Sequence, residues 1–271
     1  MFFLLVGGLI SSCANTTKIA IPPKFSNEAT EMHVKGLNSF FLHQKISFGN
    51  YSTTNIKKGW NVINTRTDKK SKVDKEERLL KIFGIGNETN TINQRNKFQY
   101  SMLDGNLKAD VYCMEKLITE ALVVKSNNFL LNMLSKTKNS RYTFSAAILP
   151  QTVANSEPWQ MVLYSLYDSD KDSSRGVFSM PTKEEHGYAT NGKDTISIKP
   201  FNINNFVKKD GADAKFPFPL RGGYELRMED GVVGIIDQFG ENIWIYNDLD
   251  ANTKLILASI SSAILLKKIN G

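Results

Sequence analysis

Apolar and polar positions alternate most regularly in the stretch "NKFQYSMLDGNLKADVYC". There Phe98, Tyr100 and Met102 precede the dipeptide Asp104-Gly105, and Leu107, Ala109 and Val111 follow it. An Asp-Gly pair between two alternating runs is a strong hairpin signal. A two-residue turn at Asp104-Gly105 predicts that Met102 faces Leu107, Tyr100 faces Ala109 and Phe98 faces Val111. Ser101–Lys108 and Gln99–Asp110 then fall on the opposite face. The first three pairs are largely apolar, so register and hydrophobic pattern agree. Cys113 continues the apolar face, which predicts a thiol buried in the core as a small hydrophobe.

The same logic recurs twice. Asp230-Gly231 separates Tyr224, Leu226 and Met228 from Val233 and Ile235, and a turn near Gly240 leads into Ile243–Tyr246, which predicts a three-stranded meander. Asn191-Gly192 precedes the alternating Ile196 and Ile198. Further strand candidates are Lys45–Tyr51, Arg141–Leu149, Trp159–Tyr167 and Val177–Met180, while Met114–Val124 fits a helical face and a strand equally well. The tail "DLDANTKLILASISSAILLKKING" begins with Asp and Asn capping candidates, runs apolar from Leu255 to Leu266 and ends in Lys267-Lys268 and Gly271, the polarity of a helix. It is too short to span a bilayer, and its small residues suit close packing, so a helix laid against the sheet is expected. Together these elements predict a mainly β fold: an antiparallel sandwich or open barrel of hairpins, with a C-terminal helix packed on it.

The chain opens "MFFLLVGGLISSCANTTK". The apolar run from Phe2 to Ile10 has the length of a signal-peptide core and ends too soon for a transmembrane helix. Ile10-Ser11-Ser12-Cys13 resembles the lipobox of bacterial lipoprotein signal peptides: an aliphatic residue, two small residues and a cysteine. The resemblance covers these first 13 positions alone, and it departs from the family in having only Met1, with no Lys or Arg, before the apolar run. It implies cleavage before Cys13, diacylglycerol on the Cys13 thiol and acylation of the new amino terminus. Several acyl chains on one residue anchor stably where one does not. The expected organisation is therefore a signal peptide over residues 1–12, a lipidated tether over 13–24 stiffened by Pro22-Pro23, and a single β-rich domain over 25–271. The competing reading makes residues 2–10 a strand inside a cytosolic fold.

Charge adds a direction. The chain has 34 basic and 27 acidic residues, a net +7, which favours anionic neighbours without choosing among them. The window from Lys57 to Lys81 supplies most of that excess, but Trp60 and, just beyond its end, Phe83 are the only aromatics close by. A nucleic-acid surface would interleave more stacking side chains, so no nucleic-acid partner is expected. A solvated face, or contact with anionic head groups, fits better. With Cys13 lipidated, Cys113 has no disulfide partner.

Candidate chemistry is thin. "DSDKDSSRG" places Asp168, Asp170 and Asp172 at alternate positions and so resembles the start of a calcium-binding loop. Ser173 stands where that family has glycine and Ser179 where it has the bidentate Glu, which leaves these aspartates weak metal candidates in a polar loop. "KFPFPLRGGY" reads as an extended, irregular loop because Pro217 and Pro219 cannot donate to a ladder. Its Phe216, Phe218 and Leu220 either fold onto the core or, with Arg221, present a recognition loop; Trp60 is a further binding candidate. His33, His43 and His186 lack metal-ligand spacing. G-x-S-x-G, the P-loop and CxxC are absent, Gly84-x-Gly86 stands alone, and no motif calls for a cofactor. The expected function is a lipid-anchored cell-envelope protein that binds an envelope protein or anionic partner, or structures a complex, without catalysis. The rival is an envelope-polymer hydrolase with a carboxylate or His186 in a cleft. A cleft gathering acids or imidazoles with perturbed pKa values would favour the enzyme, and an apolar or basic patch the binding protein.

Overall fold

The computed structural model describes residues 21–37, 43–59, 62–68, 86–125, 135–151, 157–168, 185–207, 213–229 and 231–267. A short helix α1 (Pro23–Glu28) precedes fourteen strands: β1 (Ala29–His33), β2 (Ser47–Phe48), β3 (Tyr51–Thr53), β4 (Lys57–Lys58), β5 (Val62–Asp68), β6 (Gly86–Asp104), β7 (Leu107–Lys125), β8 (Ser135–Pro150), β9 (Trp159–Asp168), β10 (Glu185–Thr190), β11 (Thr195–Val207), β12 (Asp213–Met228), β13 (Gly231–Asp237) and β14 (Asn242–Tyr246). A final helix, α2 (Ala251–Leu266), follows. The strands form one antiparallel sheet ordered β1-β14-β13-β12-β11-β10-β9-β8-β7-β6-β3-β2, with β4 and β5 also lying along β6. Its two ends meet just after β1: Lys35 and Ser47 exchange backbone hydrogen bonds of 2.9 and 3.1 Å. The sheet is thus a nearly closed barrel, and closure removes the edges on which other chains could template.

Inward and outward residues alternate as a half-buried sheet requires. Phe98, Tyr100 and Met102 of β6, Val111 and Cys113 of β7, and Tyr142, Phe144 and Ile148 of β8 all point inside and are buried. Charged Lys97, Lys116, Arg141 and Lys199 point out. This is the reverse of a lipid-embedded barrel, whose apolar band faces outward. Among the described residues no helix is long and apolar enough to cross a membrane.

Helix α2 fills the interior. Asp250 caps it, its Oδ1 accepting from the Asn252 and Thr253 amides at 2.9 and 3.0 Å. Every residue from Leu255 to Ile264 is buried, so the helix is covered on all sides and not merely laid on one face. The small residues allow this: Ala258, Ser259, Ser262 and Ala263 let β6 and β7 approach closely. Ser259 and Ser262 are satisfied within the helix or against the wall, whereas the buried Ser261 hydroxyl has no partner among the described residues. Ser259 Oγ donates to Leu255 O at 2.8 Å, and Tyr100 donates its hydroxyl to Ser259 O at 3.2 Å.

The predicted hairpins are present, but their turns differ in detail. Gly231 already pairs with Met228 as the first residue of β13, four residues (191–194) join β10 to β11, and the register at Asp104-Gly105 is shifted. Asp104 pairs with Leu107, Tyr100 with Val111 and Phe98 with Cys113, so the turn is Gly105-Asn106, one residue later than expected. Gly105 adopts φ +55°, which suits glycine at that turn. The shift moves every partner by two, and a slip of two leaves each side chain on its own face. Cys113 accordingly lies in the core, 5% exposed. Met114–Val124 is strand, within β7. The proline-containing stretch is not a free loop but the irregular part of β12. Asn205 pairs with Lys215 and Ile203 with Leu220, so residues 216–219 bulge out of register.

A basic aromatic trough and a buried charged cluster

On the outer wall, neighbours across five strands are set by register. Gln99, Tyr112, Ala147, Gln160 and Thr190 form one row, and Lys97, Met114, Ser145, Val162 and Tyr188 the next. Lys57 of β4 lies beside Gln99. The two β8 residues, Ser145 and Ala147, are small, while Tyr112 and Met114 on β7 and Tyr188 on β10 are large. Between the two rows the surface therefore forms a trough of about 850 Å³, a size typical of ligand sites, that crosses the strands and is lowest at β8. From β6 to β10 it runs about 19 Å, at roughly 4.8 Å per strand. Tyr112, Met114 and Tyr188 are 47%, 46% and 46% exposed, and Tyr164 and Leu166 of β9 extend the exposed apolar surface beyond the trough.

The trough is basic at one end. Lys58 Nζ donates to Gln44 Oε1 at 2.7 Å, which fixes its position. Lys57 and Lys97 are exposed and make no ion pair among the described residues. Among the described residues no acid and no imidazole lines the trough. The Cys113 thiol lies beneath it, and burial, then the nearby Glu115 carboxylate, push its pKa well above the usual thiol value. Both effects disfavour the thiolate that a nucleophile requires.

A second cluster lies inside the barrel, at the end where α2 stops. Glu185, 1% exposed, receives Arg221 Nη1 on Oε2 at 2.6 Å, the Tyr224 hydroxyl on the same oxygen at 2.8 Å, and Lys267 Nζ on Oε1 at 3.2 Å. Lys267 also donates to the Tyr224 hydroxyl and lies 4.8 Å from the centre of that ring, a cation–π distance. Burial lowers the Lys267 pKa, against the pull of Glu185 toward the charged form. Burial, then the neighbouring carboxylates, raise Tyr142 and Tyr224. Glu115 is fully buried and accepts from Asn96 Nδ2 at 3.3 Å. The cluster ties the C-terminal end of α2 to strands β10 and β12. Its ions are already occupied by one another.

Of the residues singled out from sequence, Arg221 belongs to this inner cluster, with its guanidinium held on Glu185. Phe216 and Phe218 lie in the bulged part of β12, and Asp168 ends β9. Cys13, Trp60, Asp170, Asp172 and the strand candidate Val177–Met180 lie outside the described residues. His186 faces outward with its ring 5.9 Å from that of Tyr164, and His33 Nδ1 lies 3.0 Å from Asn242 Oδ1. Among the described residues no group of acids, histidines and cysteines has metal-binding geometry. Sequence reasoning missed the trough, although a signal existed: Tyr112 and Met114 stand at positions that the alternation of β7 assigns to water. No family model, no curated protein and no solved structure matches the chain.

Proposed function

We propose that this chain is a lipid-anchored protein of the bacterial cell envelope, held by acylated Cys13, that works by binding through the outer trough and not by catalysis. The observation that carries the reading is the lining of the trough: exposed aromatic and thioether side chains with lysines at one end and, among the described residues, neither acid nor imidazole. Such a surface can recognise an anionic or apolar partner but has no group to transfer a proton near neutral pH. The lipobox-like Ile10-Ser11-Ser12-Cys13 supports the anchor. The rival hydrolase draws no support from the inner carboxylates, since Glu115 and Glu185 are 0% and 1% exposed and a polymer does not reach them.

The test has two parts. Membrane fractionation and intact mass are compared for wild type and Cys13→Ala in a bacterium. Loss of residues 1–12, added lipid mass and membrane recovery in wild type, all absent from the variant, are expected. A full-length, unmodified soluble product would remove the anchor. In the same cells, a photo-crosslinking side chain at Tyr188 should trap a partner and one at Lys199, beyond the trough on β11, should not. Equal trapping at both positions, or none at either, would remove the binding site.

A further inference from the structure

We infer that the occupant of the trough is a single anionic amphiphile, an alkyl chain ending in a carboxylate or phosphate. This rests on the reading of the trough as a binding site and names its ligand class. The shape argument is one of length and floor. A groove about 19 Å long, at roughly 4.8 Å per strand, is open along its length and floored by Ser145, Ala147 and Val162. It suits an extended chain lying across the strands better than a compact polar molecule. Tyr112 in one row, and Met114 and Tyr188 in the next, flank such a chain with apolar area on either side.

The charge argument gives direction. Lys57 and Lys97 stand together at the β4–β6 end, with no ion pair among the described residues. The β10 end carries the neutral Gln160 and Thr190. The head group therefore sits at the lysines and the tail points toward Tyr188. Lysine suits this role because its ammonium is a compact charge on a flexible stem whose methylenes extend the apolar wall. The interior of the barrel does not compete for an alkyl chain, because α2 fills it.

The test is calorimetric titration of the purified full-length Cys13→Ala protein with dodecanoate, dodecyl phosphate and dodecanol, each below its micelle concentration. Both anions should saturate a single site, with dodecanol about tenfold weaker, the effect of two exposed charge contacts. Lys57→Gln with Lys97→Gln should bring the anions down to the affinity of the alcohol. Ser145→Trp or Val162→Trp, whichever keeps the wild-type thermal midpoint, should abolish all three. Dodecanol as tight as dodecanoate, adsorption to anionic vesicles without a saturable single site, or a folded floor variant that binds as wild type would each overturn the inference. If the alkyl anions fail while the Tyr188 crosslink forms, the ligand class falls and the binding site stands. If both fail, both fall.

Discussion

Lys267 and Lys97 lie on opposite faces of one barrel wall. Lys267, its side chain 5% exposed, donates to Glu185 and Tyr224 and stands over an aromatic ring. Lys97 is exposed, beside Met114, and has no acid near it in the trough. The inner lysine belongs to a set of charges that answer one another, because an unanswered charge in the interior would cost several kcal/mol. The outer lysine can stand alone because water solvates it. Buried charge in this protein therefore speaks of the fold, and unpaired surface charge beside exposed aromatics speaks of something that comes from outside.

The contrast is sharpest in stability. Glu185→Gln leaves Lys267 and Arg221 without their carboxylate and should cost about 3–5 kcal/mol in chemical denaturation. Combining Glu185→Leu with Lys267→Met and Arg221→Met should recover much of that loss, because the three charges leave together. A cost under about 1 kcal/mol for Glu185→Gln would show that the inner cluster is hydrated, and would erase the contrast.

Within the inner cluster the two tyrosines differ. Tyr224 donates to Glu185, whereas the buried Tyr142 hydroxyl has no partner among the described residues. Tyr224→Phe should cost about 2 kcal/mol, and Tyr142→Phe should be neutral or stabilise by about 1 kcal/mol, as expected for losing a charge-assisted bond and an unsatisfied hydroxyl respectively. Both phenols are raised, by burial first and then by carboxylates. Their contribution is therefore fully present below the ordinary tyrosine value of about 10 and is lost as pH rises beyond it. Phenolate absorbance should consequently appear together with unfolding. Free titration of these tyrosines in the folded protein would contradict the placement.

The smallest effect is the outer one. Lys57→Gln with Lys97→Gln should change stability by less than about 0.5 kcal/mol while weakening anion binding. Loss of stability from this pair would move the trough lysines into the structural class.

The hairpins show how far a pattern reaches. Alternation around Asp104-Gly105 and Asn191-Gly192 assigned side chains to their faces, and the capping residues before Leu255 marked the helix. After Asp230-Gly231 it failed at Ile235, because the irregularity between Leu226 and Arg227 turns Ile236 to the core and Ile235 outward onto Phe25. The register around Gly105 was not legible, because pairs two residues apart satisfy the same alternation and only an odd slip exposes the core. The bulge at residues 216–219 was visible as two prolines but not as part of a paired strand.

The site was less legible than the fold. Tyr112 and Met114 betrayed themselves by being apolar at polar positions, but a trough needs the small residues of β8 and the tyrosine of β10 beside them. Those neighbours are 31 and more residues away along the chain, the shortest separation being Met114 to Ser145, and are brought together by register alone. Glu185 and Lys267, 82 residues apart, meet only because the helix enters the barrel. Local pattern determined strands, faces, turns and the helix, since propensity and periodicity act over a few residues. Closure of the sheet, burial of α2 on every side, and the division of lysines between an answered interior and an open groove were decided by tertiary structure. They depend on which distant strands become neighbours, and no local rule contains that.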